Sequence, residues 1–187
     1  MKVIFIRHGE PNYDCLKDKN IISCTKNIAP LSKEGRKQAN EIYEKYEDIL
    51  KESDKIVSSP YTRALETAFI INQYLGKELI IDVDLHEWES DEDRYLFNSC
   101  AVQEMEKEFY KNKGKHNETC IWNWESLDDL GLRVKNALLK YSHYDSIVVV
   151  CHAMIIRQFY YDPIIPNCVP IVVNINSNTK FTGFYGG

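Results

Sequence analysis

The run Ile147-Val148-Val149-Val150 is the feature that most limits what this chain can fold into. It is apolar at every position, where a half-exposed strand would alternate. Such a strand must be covered on both faces. Val3-Ile4-Phe5-Ile6 has the same character. Continuous apolar strands of this kind point to a parallel sheet with helices packed on each side, and the segments between them show helical spacing.

Ser32 to Lys51 reads as a helix, with Ala39, Ile42, Tyr43, Tyr46, Ile49 and Leu50 recurring at that period. Lys55–Ser58 is a second strand. A helix follows Pro60 and ends at Gly76, and Leu79–Val83 is a third strand. A helix is expected near Ala101 to Lys111. Leu127, Leu130, Val134, Ala137, Leu138 and Tyr141 mark an amphipathic one. After the Val-rich strand, a short helix is expected from Ala153 to Tyr161. Val169–Ile175 and Phe181–Tyr185 read as a terminal hairpin. The expected fold is three-layer α/β/α with a mostly parallel central sheet, as one domain over residues 1–187.

Charge narrows the partners. With 187 residues, 23 Lys+Arg and 28 Asp+Glu, the net charge is −5. That balance argues against nucleic acid or an anionic membrane as the main partner. No apolar run approaches a membrane span. The six cysteines show no C-x-x-C pair and no histidine at zinc-ligand spacing, so reduced thiols in the cytoplasm are expected, with no metal site. Only six of the basic residues are Arg, which makes their positions informative.

Ligands of open α/β sheets bind beyond the carboxyl ends of the strands. Arg7-His8-Gly9-Glu10 follows the first strand, and Ser59-Pro60-Tyr61-Thr62-Arg63 follows the second. Asp84-Leu85-His86-Glu87 follows the third, and Cys151-His152 ends the Val-rich one. Two of the six Arg therefore gather with two His and a Glu. Cations pooled at one sheet edge call for an anion, and Arg forks match phosphate or carboxylate oxygens in pairs.

These motifs together resemble the histidine phosphatase superfamily, which includes the cofactor-dependent phosphoglycerate mutases and many small phosphatases. Pro30-Leu31-Ser32-Lys33-Glu34-Gly35 with Gln38-Ala39, and Glu125-Ser126-Leu127 with Arg133-Val134, resemble further family segments. The resemblance spans roughly residues 1 to 160. It implies a phosphoglycerate mutase-like fold, with residues of about 84–125 inserted as a substrate lid.

The resemblance also implies chemistry. His8 is the implied nucleophile, forming a phosphohistidine. Arg7, Arg63 and His152 would cradle the phosphoryl group, with Asn12 as a further phosphate ligand, because Asp14 stands where the family carries Asn. Glu87 would protonate the leaving oxygen and then activate water. No metal and no cofactor are implied. Residues 87 to 108 carry Glu87, Glu89, Asp91, Glu92, Asp93, Glu104, Glu106 and Glu108 against Arg94 and Lys107. Such a lid should repel doubly anionic phosphoglycerates. Hydrolysis of a phosphomonoester on a small metabolite or a phosphoprotein is therefore expected. A mutase-type phosphoryl transfer and a non-catalytic phospholigand-binding protein are the alternatives. His86, His116 and His143 match no motif and read as surface residues. Cys151 reads as a buried strand-end thiol.

Overall fold

A computed structural model describes residues 1–16, 23–90 and 99–181. Five strands form one sheet in the order β3-β2-β4-β1-β5. They are β1 (Lys2–Arg7), β2 (Lys55–Ser58), β3 (Leu79–Ile81), β4 (Ser146–Cys151) and β5 (Pro170–Asn174). The first four run parallel, and β5 closes one edge antiparallel to β1.

The continuous apolar strands are covered on both faces. Val3 and Phe5 of β1, Val57 of β2, and Ile147, Val149 and Cys151 of β4 join one core. Helices α4 (Leu127–Leu139) and α5 (Ala153–Arg157) pack there, along with Phe109 of α3 (Ser99–Lys111). Ile4, Ile6, Ile56, Val148 and Val150 face the opposite core, beneath α1 (Lys33–Lys51) and α2 (Thr62–Leu75). Successive strand side chains point to opposite faces, so each apolar run supplies both cores. The three-layer, mostly parallel architecture expected from sequence is the one observed.

Local chemistry places the boundaries. Ser32 caps α1, its Oγ accepting the Gly35 N–H at 2.9 Å. Gly76, at φ 59°, ends α2 in the left-handed region. The third strand stops at Ile81 and not at Val83. The buried Asp82 carboxylate accepts the Asp84 N–H, opening a 3-10 turn over Val83–Leu85. Helix α5 stops at Arg157 and not at Tyr161. The Arg157 side chain donates to the carbonyls of Asp162 and Pro163, folding the chain back. β5 pairs with β1, and most of the expected hairpin's second arm lies outside the described residues. No helix among the described residues is long and apolar enough to cross a membrane.

Candidate active site

Parallel register brings the strand ends together. Arg7 pairs with Cys151 across β1 and β4, and Ser58 pairs with Val150 across β2 and β4. His8, Ser59 and His152 therefore leave the same sheet edge side by side. The His8 N–H donates to Cys151 O, and the Ser59 N–H to Val150 O, both at 3.0 Å. The two imidazoles end 5.1 Å apart, centroid to centroid.

Arg63, on the first turn of α2, lies between them and is only 5 % exposed. Its Nε donates to His8 Nε2 at 3.0 Å, and its Nη2 to His152 Nδ1 at 3.3 Å. A guanidinium only donates, so these contacts decide both tautomers. His8 keeps its proton on Nδ1, which donates to Gly9 O at 2.7 Å. His152 keeps its proton on Nε2, which donates to Ser59 Oγ at 2.7 Å. Burial pushes the His8 pKa down to about 3, and Arg63 and Arg7 push the same way. Burial also holds His152 well below the usual histidine range, again reinforced by Arg63. Both rings are neutral at pH 7, and His8 directs a lone pair on Nε2 into the site.

Arg7 donates to Ile165 O at 2.7 Å through Nη1, while its buried Nε has no partner. Among the described residues, neither Arg7 nor Arg63 forms an ion pair within 4.0 Å. A buried Arg63 and a half-buried Arg7 without a contacting counterion make the pocket anion-seeking. Glu87 enters from the other side, on the stretch that follows Val83–Leu85. The residue is partly exposed, but its carboxyl lies deep, within electrostatic reach of Arg63 and Arg7. Oε1 accepts the Trp88 N–H at 3.0 Å. Burial raises the Glu87 pKa, opposed by that N–H and by the two arginines.

A family model described as histidine phosphatase superfamily, branch 1, matches residues 3–163. This chain belongs to that family. It is 28% identical over 159 residues to the candidate phosphoserine phosphatase 2 of Hydrogenobacter thermophilus, covering 81% of this chain and 72% of that protein. Among solved structures, Bacillus stearothermophilus YhfR superposes with a TM-score of 0.69 at 16% identity, covering 98% of this chain and 95% of that one. The alpha-ribazole phosphatase from Shigella flexneri superposes at 0.66 with 21% identity, covering 97% and 94%. These structural likenesses show the shared phosphoglycerate mutase-like fold.

The histidine phosphatase motifs at Arg7-His8, Arg63, Glu87 and His152 thus converge on one pocket. Asn12 belongs to the loop just beyond His8. Its Oδ1 accepts the Asp14 N–H at 3.0 Å and its own N–H donates to Pro30 O, while Asp14 is exposed. Gly9 has a different reason from close approach to a ligand. A Cβ there would lie 2.5 Å from Gly35 O, so the two family glycines pack backbone against backbone. Ser32 ties the same junction together, its hydroxyl donating to Glu10 Oε1 at 2.6 Å.

His86 is half-buried at the site margin, 6.3 Å from the Tyr61 ring, and so is not a plain surface residue. Trp124 is fully buried in the core. Cys151 is buried, and burial followed by the Glu87 charge raises its pKa well above the usual range, which keeps it a thiol. The acidic stretch expected as a lid is described only in part. Asp91, Glu92, Asp93 and Arg94 lie outside the described residues, and Glu108 is committed to the Ile121 and Trp122 N–H groups and the Trp124 indole.

Several contributors carry no mark of their own in the sequence. Thr67, one helical turn beyond Arg63, accepts the Gly9 N–H at 3.0 Å and donates to Arg63 O at 2.7 Å. Its place one turn beyond Arg63, in the helix expected after Pro60, was the available signal. Asn167 donates to His8 O at 2.5 Å, and the Cys168 N–H donates to Arg7 O at 2.9 Å. Both come from a segment with no motif. Among the described residues, no group of three or more His, Cys, Asp or Glu side chains could hold a metal ion.

Proposed function

We propose that this protein is a phosphomonoester hydrolase working through a phosphohistidine at His8. The observation that carries the reading is the neutral His8 Nε2, buried and held against Arg63, with His152 on the guanidinium's other branch. A phosphoryl group is a stronger acceptor for Arg63 than an imidazole nitrogen. Its arrival would draw the Arg63 N–H groups onto phosphoryl oxygens and release the Nε2 lone pair for attack. Arg7, whose Nε lacks a partner, would bind a further oxygen.

The first step forms the Nε2–P bond as the P–O bond to the leaving group breaks. Protonated Glu87 passes its proton to that oxygen, releasing an alcohol. The ionised Glu87 then takes a proton from water, whose oxygen attacks phosphorus while the N–P bond breaks. Inorganic phosphate leaves, and His8 returns to its neutral form with its Nδ1 proton still on Gly9 O. The raised pKa of Glu87 supports both roles, because the group must hold and surrender a proton near neutrality.

Small phosphorylated metabolites are the favoured substrates. Relatives are named for phosphoserine, alpha-ribazole and glucosyl-3-phosphoglycerate phosphatase activities. Wild-type protein should hydrolyse p-nitrophenyl phosphate and leave an acid-labile, base-stable phosphate on His8 after rapid quench. His8→Ala should abolish both. Absence of turnover and of trapped phosphate in the wild type, from about pH 4 to 8, would sink the reading.

A further inference from the structure

The family segment Glu125-Ser126-Leu127 with Arg133 contributes no residue to the phosphate cradle, yet both charged side chains are largely buried. Arg133 lies on α4, and Glu125 just precedes that helix's Ser126 cap. The guanidinium grips Glu125 with two prongs, Nε to Oε1 at 2.6 Å and Nη2 to Oε2 at 2.8 Å. Its third nitrogen, Nη1, donates outward to Asp84 O at 2.5 Å and His86 O at 3.1 Å.

Glu125 holds the other end of the same stretch. Its N–H donates to Glu89 O at 2.9 Å, and its Oε2 accepts the Glu89 N–H at 3.3 Å. Its carbonyl takes the Trp88 indole N–H at 2.6 Å. The ion pair thus fastens the backbone at residues 84, 86 and 89, on both sides of Glu87. β3 has already ended at Ile81, so no sheet ladder holds this segment. Glu87 O accepts from the neighbouring His86 ring at 2.8 Å, a purely local contact.

We infer that Glu125 and Arg133 are positioning residues for proton transfer: together they hold residues 84–89 so that the Glu87 carboxyl stays over the phosphate cradle. The inference rests on the phosphohistidine reading and assigns the pair a task within it. Neither residue touches the reacting atoms; both act through Glu87. A Lys at 133 keeps the charge but loses the planar fork that serves four acceptors at once. Gln at 125 keeps the shape but loses the charge that holds the fork. A displacement of about 1 Å at a catalytic group is worth ~10²-fold in rate.

The test uses leaving groups of different basicity. p-Nitrophenolate departs with little help from an acid, whereas an alkoxide such as that of β-glycerophosphate needs the proton. The readout is the pre-steady-state rate of phosphoenzyme formation on each substrate, with circular dichroism reporting the fold. Arg133→Lys and Glu125→Gln should each slow transfer from β-glycerophosphate ~10²-fold, and from p-nitrophenyl phosphate by less than ~10-fold. In a Glu87→Gln background, Arg133→Lys should cost almost nothing further on β-glycerophosphate, because the group it positions is gone. Equal losses on both substrates, full additivity with Glu87→Gln, or unfolding of both single variants would assign the pair a structural task and overturn the inference. A wild type that forms no phosphohistidine would defeat the underlying reading before any variant is compared.

Discussion

The proposed phosphate cradle and the Glu87 wall face one another, but different forces hold them. His8, Ser59 and His152 each follow directly on a strand whose register is set by its parallel neighbour. Their backbones are positioned by the ladders that build the sheet, and a disturbance there disturbs the core. Glu87 follows a strand that has already ended, in backbone fastened by side chains from another helix. The cradle is therefore held by the sheet itself, while the wall is held by side chains: the Glu125–Arg133 pair, Lys140 and Tyr141 on Asp82 and Asp84, and Leu85 buried in the core. The general lesson is that a site needing fixed charge can sit on ladder ends, whereas a group that must exchange protons can sit on separately braced backbone.

The sharpest way to separate the two regions is Arg63→Lys. In the proposed reaction Arg63 would bind the phosphoryl group, and it touches both histidines, so turnover should fall about 10²–10³-fold. The loss should be similar for aryl and alkyl phosphates, unlike any change in the wall. A loss confined to alkyl phosphates would place Arg63 with the acid and break the distinction.

Acid stability should divide them next, and in opposite senses. His8 has its pKa depressed to about 3 from the ordinary 6.5, so the unfolded chain binds the extra proton first. Its stabilising share is complete above pH 6.5 and drains away as pH falls toward about 3, by up to ~1.4 kcal/mol per unit. Glu87 is raised, so its share is complete below its unfolded pKa and is lost as pH rises through the folded value. Denaturant melts of wild type and His8→Gln between about pH 7 and 4 isolate the first effect. The wild type should lose stability more steeply on acidification, and parallel curves would contradict the burial argument.

The smallest expected effect probes how the cradle is tied to the helices. Ser32→Ala removes the α1 cap and the bond to Glu10, and should lower stability by about 1 kcal/mol. The ratio of alkyl to aryl turnover should stay where it was, since the acid wall is untouched. A shift in that ratio would show that α1 reaches Glu87 by a route the hydrogen bonds do not display.

Much of this was legible in the residues. Continuous apolar strands announced a sheet covered on both faces, because period-two side chains with no polar alternate leave no wet face. Strand ends then named the neighbourhood of His8, Arg63 and His152. The acid wall was harder. Glu87 could be picked from a crowded acidic stretch through its motif, but nothing local said what would hold it still. Glu108 and Glu89 looked alike as charges, yet one caps a tryptophan loop and the other borders the site.

By itself, then, the sequence determined the layer order and the sheet edge at which His8, Arg63 and His152 meet. These depend on periodicity and on residues adjacent to strands, which are local properties. Only the tertiary structure decided the tautomers of His8 and His152, the burial that keeps them neutral, and the brace on Glu87. Those depend on a guanidinium from α2 reaching two strands and another from α4 reaching a loop, contacts between residues far apart in the chain.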